Sequence, residues 1–418
     1  MPKQQCSTIE LPRGTLDLTY QTNLATDQNI TTENYQLEDL LGFAQRINPK
    51  RAFLFVSKVL GRHIPVAPST MRQAFTNLAN LIPSNLSEPI LVVGMAETAV
   101  GLSAGVHQAL QTRYPNALLL NSTRHAQHSD DDSDMLLTTF SEDHSHASQH
   151  LIYQSADSKT QAQLLACKTL IMVDDEASTG NTCVNVVTAL RHAGLTQLEQ
   201  VHLTTLVDWS LGQNQEADDT IAQHLPNIDF YRHHLLSGTW QWTEAANPEP
   251  IIMPSVDTTE AGSQSLGDSG NWGRFPTLDS VDGFADHLAR FQTAFSNFSE
   301  LKGFDKAQLP QRILVLGSNE FVWLPFLLAE WLENNISSND ATHTVNFSAL
   351  TRSPIALGGV VKTMLSFNDH YGLGMTNFVY NVEPNDWDLI VLCIETSPDS
   401  VDELWQDLDN VLVVSPKI

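Results

Sequence analysis

Short runs of consecutive apolar residues alternate with amphipathic, helix-like segments along most of the chain. In the first half the apolar runs cover residues 90–94, 117–120 and 169–173, and a further strand is predicted at 201–207. Uninterrupted apolar runs of this length are typical of strands that are buried on both faces. Helical patterns follow two of these runs, at about 97–110 and 182–193. The alternation predicts an α/β fold, a mostly parallel sheet with helices on both faces.

The second half repeats this pattern after a polar interruption. Residues 244–272 are rich in Pro, Ser, Thr, Gly and Asp, which is typical of a linker or a long excursion. Further strands are then predicted at 312–316, 345–350, 389–393 and 410–414. We therefore predict a first α/β domain over 30–243, a loop-rich connection over 244–305 and a second, Rossmann-like α/β domain over 306–418.

The charge of the chain narrows the classes of partner. Its 418 residues include 48 acidic and 22 basic ones, a formal net charge of -26. A field of that sign repels nucleic-acid phosphates and anionic lipids, so we expect small-molecule substrates and neither nucleic acid nor membrane as partner. The longest apolar candidate, 90–106, is interrupted by Glu97, and the first 14 residues lack an apolar signal segment. These features predict a cytoplasmic protein.

The most informative stretch begins where the run 169–173 ends. Asp174 and Asp175 come first, small or polar residues follow, and Gly180 stands at the start of a helical segment. Free N–H groups at a helix start, with the hydroxyl groups of 178–182, can cradle a phosphate. The two carboxylates would repel that phosphate, so they would serve sugar hydroxyls with Mg²⁺ nearby. The alternative is an ordinary acidic helix cap.

The whole stretch 169–182, TLIMVDDEASTGNT, resembles the phosphoribosyl-pyrophosphate (PRPP) binding motif of type I phosphoribosyltransferases. The resemblance implies Mg²⁺ as cofactor, bound mainly through PRPP with Asp174 and Asp175 as further ligands. It places these two acids at the ribose hydroxyls and, with Glu176, among the catalytic candidates. The residues implied to hold the 5′-phosphate are Ala177, Ser178, Thr179, Gly180, Asn181 and Thr182.

A second strand-to-helix turn lies upstream, in ILVVGMAETAVGLSAG. In the family that the motif resembles, this position is the pyrophosphate-binding loop. The candidates are Gly94, Met95, Ala96, Glu97 and Thr98, with Arg124 further along the chain. The alternative is that the glycines here serve only tight packing of helix on sheet.

Residues 121–150 lose apolar periodicity and correspond, by the same resemblance, to a mobile hood over the acceptor. The hoods of better-known members often carry a catalytic lysine, whereas here no lysine or arginine stands between Arg124 and Lys159. The segment FSEDHSHASQH offers His144 and His146 as catalytic candidates, because histidine exchanges protons near neutrality. A solvated loop, or a zinc site that includes His150, are the alternatives.

Three cationic or titratable side chains accompany the apolar run near residue 55. Lys58, Arg62 and His63 would contact a substrate phosphate or an anionic acceptor, or they are ordinary surface side chains.

The second half contains LTRSPIALGG, in which residues 351–354 spell TRSP. The order of the PRPP motif, linker and TRSP segment resembles a bacterial two-domain family encoded in tellurium-resistance stress gene clusters. Several polar residues of this half would lie at carboxyl ends of strands, where ligands bind. These second-site candidates are Glu320, Thr351, Arg352, Ser353 and Glu395. Arg352 would bind an anion at a second site or in an extension of the first, or would pair with Glu320 or Glu395.

The function implied is Mg²⁺-dependent transfer of phosphoribose from PRPP to a small, nucleobase-like acceptor with release of pyrophosphate, or the reverse reaction. The alternative is a non-catalytic protein of a stress response that senses PRPP or acts as a scaffold. A homodimer is compatible with either.

Overall fold

The computed structural model describes residues 4–22, 35–46, 51–126, 135–141, 149–213, 221, 223–248, 250–251, 280–301, 310–337 and 343–415. Its strands are β1 (Gln5–Leu11), β2 (Gly14–Thr22), β3 (Leu41–Gln45), β4 (Phe53–Ser57), β5 (Ile90–Gly94), β6 (Leu118–Asn121), β7 (Leu136–Ser141), β8 (Gln149–Tyr153), β9 (Thr169–Ala177), β10 (Gln200–Asp208), β11 (Asp229–Glu244), β12 (Arg312–Ser318), β13 (Thr344–Leu350), β14 (Met364–Asn368), β15 (Thr376–Tyr380), β16 (Leu389–Cys393) and β17 (Val411–Val414). Its α-helices are α1 (Leu37–Leu40), α2 (Pro68–Asn80), α3 (Val100–Leu110), α4 (Ser158–Leu165), α5 (Asn181–His192), α6 (Ser210–Gln213), α7 (Ser280–Leu301), α8 (Trp323–Leu332) and α9 (Glu403–Gln406).

The larger sheet has the order β1-β2-β11-β10-β9-β5-β6. Its strands from β11 to β6 are parallel, as predicted for β5, β6, β9 and β10, whereas β11 was not predicted from the sequence. The hairpin β1–β2 extends this sheet by antiparallel pairing with β11, although it precedes residue 30, the predicted start of the domain. The predicted parallel α/β fold is therefore confirmed, while the predicted domain limits stay a prediction.

Strand β9 continues further than its apolar run. Pairing with β10 extends through the acidic residues, with Asp174 opposite Thr205 and Glu176 opposite Val207. The ladder of hydrogen bonds to β10 thus holds the acid-rich segment in extended form up to Ala177. Helix α3 begins at Val100 and not near residue 97 as predicted, because residues 96–99 form a turn.

The smaller sheet, of order β13-β12-β16-β17, is parallel throughout. Helix α8 packs on β12 and α7 packs on β17. The predicted parallel α/β arrangement of the second half is confirmed, and the more detailed Rossmann-like description stays a prediction.

The two sheets share one continuous hydrophobic core. Helices α2 and α3 of the first half pack on α7 and α8 of the second. Between α2 and α8 the rings of Phe75 and Phe326 meet edge to face at 5.4 Å between centroids. At the rim of this contact, Arg72 forms a two-pronged ion pair with Glu330, at 2.7 and 2.9 Å. No helix in the described part of the chain is both long and apolar enough to cross a membrane.

The stretch 121–150, expected to lack regular structure, contains most of an antiparallel hairpin formed by β7 and β8. Strand β7 is largely accessible, so it lacks the clear apolar alternation that would have revealed it. Its hairpin is defined by pairing with β8, whose residues 150–153 are buried. A mobile cover over the site stays a prediction.

Candidate active site

A cavity of about 290 Å³ opens at the carboxyl ends of β5 and β9. This is the edge of a parallel sheet at which ligands generally bind. Of the residues predicted from the sequence, it is lined by Asp174, Asp175, Glu176, Ala177, Ser178, Thr179, Gly180, Asn181, Thr182, Met95, Ala96, Glu97, Thr98, Arg124, Thr351 and Ser353. The fold therefore brings both predicted loops and part of the second-site group into one space.

The loop after β9 turns sharply into α5 at Gly180. This glycine has φ 78° and stands at the N-cap of the helix. A Cβ atom there would be strained by the backbone and would lie 2.6 Å from Ile221 Cδ1. The hydroxyl of Thr179 accepts a hydrogen bond from the N–H of Asn181 at 3.3 Å. The loop thus brings the N-terminus of α5 to the cavity, which is the end of a helix at which anions bind.

The carboxylates at the end of β9 differ in their surroundings. Asp174 Oδ1 accepts the N–H of Asp175 at 2.9 Å. Burial, and next the negative charge of Glu176, raise the pKa of Asp175 to about 6. Glu176 is held by Arg51 through two hydrogen bonds of 2.5 and 3.0 Å. The negative charge of Glu176 is thus balanced by Arg51, whereas the carboxyl group of Asp175 takes up a proton at a higher pH than an ordinary aspartate does.

The turn after β5 combines packing with access to the cavity. A Cβ atom on Gly94 would overlap Ser103 Oγ, so this glycine permits the close packing of α3, as the alternative interpretation expects. The N–H of Ala96 donates to Ser122 Oγ at 2.9 Å, and the Ala96–Glu97 peptide is cis. Gly94 therefore serves packing, while residues 95–98 line the cavity.

Glu97 is the centre of a buried group of charges. It forms an ion pair with Arg62, and both side chains are nearly inaccessible. Burial alone would raise the pKa of Glu97, but the positive charges of Arg62, Arg352 and Arg124 hold that pKa below its usual value, against the opposing charge of Glu320. Glu97 is thus ionised in the folded chain.

Several C-terminal residues reach this group. Glu320 accepts hydrogen bonds from Thr123 Oγ1 at 2.5 Å and from the N–H of Arg124 at 2.8 Å. Arg62 donates to the backbone oxygen of Asn319 at 2.5 Å. Glu395 lies apart from the cavity lining, fully buried, and accepts a hydrogen bond from the hydroxyl of Tyr371 at 2.6 Å. The second-site candidates are therefore divided between the cavity, its supporting wall and a separate buried contact.

Of the candidate histidines 144, 146 and 150, the described residues include only His150. His144 and His146 lie outside the described residues. His150 is buried on β8, stacks on Phe140 and lies 3.1 Å through Nδ1 from the hydroxyl of Ser122. Because Ser122 Oγ also accepts the N–H of Ala96, it links His150 to the turn after β5.

The donor set at the acid pair suits Mg²⁺, since hard cations prefer oxygen ligands. Among the described residues, no three His, Cys, Asp or Glu side chains form a group that would hold a metal ion by themselves. Asp174 and Asp175 would thus need oxygen atoms of a ligand to complete a magnesium shell.

Several cavity residues were missed or left undecided by the sequence. Arg46 and Arg51 reach the cavity from the ends of β3 and β4 and were not among the candidates. Arg62 and His63 also line it, whereas Lys58 instead donates to the backbone oxygen of Glu38 at 2.8 Å. The scarcity of basic residues in this acidic chain was the available signal.

Two protein-family models match parts of this chain. A family model described as phosphoribosyl transferase matches residues 40–239. A second model, described as TRSP domain C terminus to PRTase_2, matches residues 283–411.

Solved structures similar to the chain include adenine phosphoribosyltransferases. The enzyme of Trypanosoma brucei, in complex with AMP, pyrophosphate and ribose-5-phosphate, is 14% identical over 55% of this chain and 86% of its own, with a TM-score of 0.33. That of Leishmania tarentolae is 12% identical over 48% and 85%, with a TM-score of 0.32. That of Giardia lamblia, complexed with 9-deazaadenine, is 12% identical over 47% and 96%, with a TM-score of 0.30. A search of curated proteins gave no match.

Proposed function

Because the chain belongs to the two-domain family of phosphoribosyl transferases with a C-terminal TRSP domain, we propose that it transfers phosphoribose from PRPP to a small, nucleobase-like acceptor. The reaction releases pyrophosphate, and the same site serves the reverse reaction. The observation that carries the proposal is the cavity in which the acid pair of β9 and the glycine-capped start of α5 adjoin the turn after β5.

Each part of the cavity has a place in this reaction. The carboxylates of Asp174 and Asp175 accept hydrogen bonds from the ribose hydroxyls, and the loop 177–182 binds the 5′-phosphate through N–H and hydroxyl groups. Residues 95–98, together with Arg124, face the diphosphate. Glu176, fixed by Arg51, positions the end of β9.

Mg²⁺, bound mainly through the oxygens of PRPP with Asp174 and Asp175 as candidate ligands, would supply charge neutralisation on the diphosphate. The protein residues contribute orientation of the ribose and an environment of fixed charges around the leaving group. A cover over the cavity would exclude water, which otherwise hydrolyses PRPP. His144 and His146 are proposed to exchange a proton with the acceptor from that cover.

The test is titration of the protein with PRPP and Mg²⁺, followed by a screen of nucleobase-like acceptors for release of pyrophosphate. Asp175→Ala is expected to weaken PRPP binding at least ten-fold, because hydrogen bonds to a charged group are lost. Asp388→Ala, a change at a carboxylate that the cavity lining does not include, is the control. Unchanged affinity in Asp175→Ala would contradict the assigned site, and binding without turnover of any acceptor would favour the sensor.

A further inference from the structure

The segment after β13 brings hydroxyl groups of the C-terminal domain into the cavity. Thr351 and Ser353 line it beside Glu97, Thr98 and Arg124. A wall of the site therefore belongs to a domain outside the part of the chain that the phosphoribosyl transferase model matches.

The backbone of this wall is held in place by strand β15. Thr351 exchanges both backbone hydrogen bonds with Phe378, at 2.9 and 2.7 Å. The hydroxyl of Tyr380 donates to the backbone oxygen of Ser353 at 2.8 Å and accepts the N–H of Ile355 at 2.7 Å. The wall is thus pre-organised, which lowers the entropic cost of binding a ligand there.

Both hydroxyl groups retain a proton to donate. Thr351 Oγ1 accepts the N–H of Ser353 at 3.1 Å, and this contact leaves the hydroxyl hydrogen of Thr351 available. Ser353 is exposed, and its hydroxyl makes no hydrogen bond within the described ranges of the chain. Two of the residues that line the cavity from the C-terminal side therefore carry a hydroxyl hydrogen that can be donated.

The charges behind this wall favour an anion. Arg62, Arg124 and Arg352 surround Glu97, and Glu320 is the second acid of the group. Within the described residues, the guanidinium of Arg352 donates a hydrogen bond only to a weak acceptor, Met375 Sδ at 3.5 Å. A guanidinium group with donors left for a stronger acceptor favours an anionic ligand beside it.

We propose that Thr351 and Ser353 bind the diphosphate group of PRPP, so that the C-terminal domain completes the leaving-group half of the active site. This inference rests on the proposed function. When the bond between the anomeric carbon and the diphosphate oxygen breaks, its electron pair leaves with that oxygen. A nitrogen of the acceptor forms the new bond to the carbon and gives up its proton to the departing diphosphate, directly or through the proposed histidine, and the products are the phosphoribosylated acceptor and pyrophosphate. The two O–H donors stabilise the negative charge on the departing oxygens.

The experiment compares three probes in the full chain. PRPP with Mg²⁺, inorganic pyrophosphate with Mg²⁺, and ribose 5-phosphate are titrated calorimetrically into wild type, Thr351→Val and Ser353→Ala. Ser366→Ala, an exposed change on β14 of the same domain, is the matched control. Thr351→Val and Ser353→Ala, the wall variants, are each expected to lose about ten-fold in affinity for PRPP and pyrophosphate, since a hydrogen bond to a charged group disappears. Affinity for ribose 5-phosphate stays at the wild-type value.

The outcomes separate this inference from the function on which it rests. If wild type binds PRPP and both wall variants bind it equally well, the C-terminal contact is wrong and the transferase proposal stands. An equal loss for PRPP and ribose 5-phosphate also overturns the contact, because it indicates a general effect on the fold. If wild type binds pyrophosphate but not PRPP, and the wall variants lose it, the anion subsite stands and the proposed function fails. If wild type binds neither PRPP nor pyrophosphate, the C-terminal contact and the transferase proposal both fail.

Discussion

Replacing Arg62 with methionine tests whether its ion pair with Glu97 supports the cavity wall. Methionine retains much of the aliphatic volume but removes the charge and the hydrogen bond to the backbone oxygen of Asn319. The side chains of the pair are only 5% and 6% exposed, so water cannot replace the missing guanidinium. Removing one partner of a buried pair costs about 3–5 kcal/mol. Because Arg124 and Arg352 remain close to Glu97, we expect the lower end of that range.

The assay is urea unfolding followed by tryptophan fluorescence, in the wild-type and the Glu97→Gln background. A neutral glutamine at this position leaves no buried negative charge without its partner, so Arg62→Met should cost about 1 kcal/mol or less, the value of the lost hydrogen bond. The difference, about 2 kcal/mol, is the coupling between the two side chains. Arg312→Met, which breaks an exposed pair with Asp388, is the control and should cost at most about 1 kcal/mol. Costs of Arg62→Met that agree within about 0.5 kcal/mol in both backgrounds would refute the reasoning.

Three further outcomes are expected. Affinity for PRPP with Mg²⁺ should rise as the pH increases through about 6, because the carboxyl group of Asp175, with its raised pKa, ionises in that range. The rise should be less steep in Asp175→Asn, as titrations at pH 5 and 7 would measure. Gly180→Ala should weaken PRPP binding about ten-fold because of its φ of 78°, whereas Gly101→Ala, whose Cβ meets only ordinary contact, should not. Ser122→Ala, which removes the acceptor of the Ala96 N–H, should lower turnover more than PRPP affinity in steady-state kinetics; an equal loss of both would contradict this role.

The features that could be predicted from the sequence are those that a short stretch of residues determines by itself. The strands at 90–94 and 169–173 are uninterrupted apolar runs, and both are fully buried strands of the parallel sheet. The loop 177–182, which we propose to bind the 5′-phosphate, is a contiguous motif, so its residues could be named before any fold was known. Gly180 in particular stands where a positive φ is required.

Contacts between distant residues could not be predicted in this way. Arg51 binds Glu176 across 125 positions, and Thr123 binds Glu320 across 197. Nothing in the neighbourhood of either residue encodes its partner, because the pairing arises from how strands of two sheets meet. The placement of Thr351 in the same cavity depends on the same long-range packing.

The contact between α2 and α8 has a consequence for how this chain can be divided. Phe75 also fills the space beside Gly105 of α3, where an added Cβ would overlap its ring. One aromatic ring is thus shared by a helix pair of the first half and by Phe326 of the second. A fragment cut between the halves would expose this apolar surface and would tend to aggregate when expressed alone. Recombination that exchanged one half for that of a distant relative would have to exchange the matching helix surface with it.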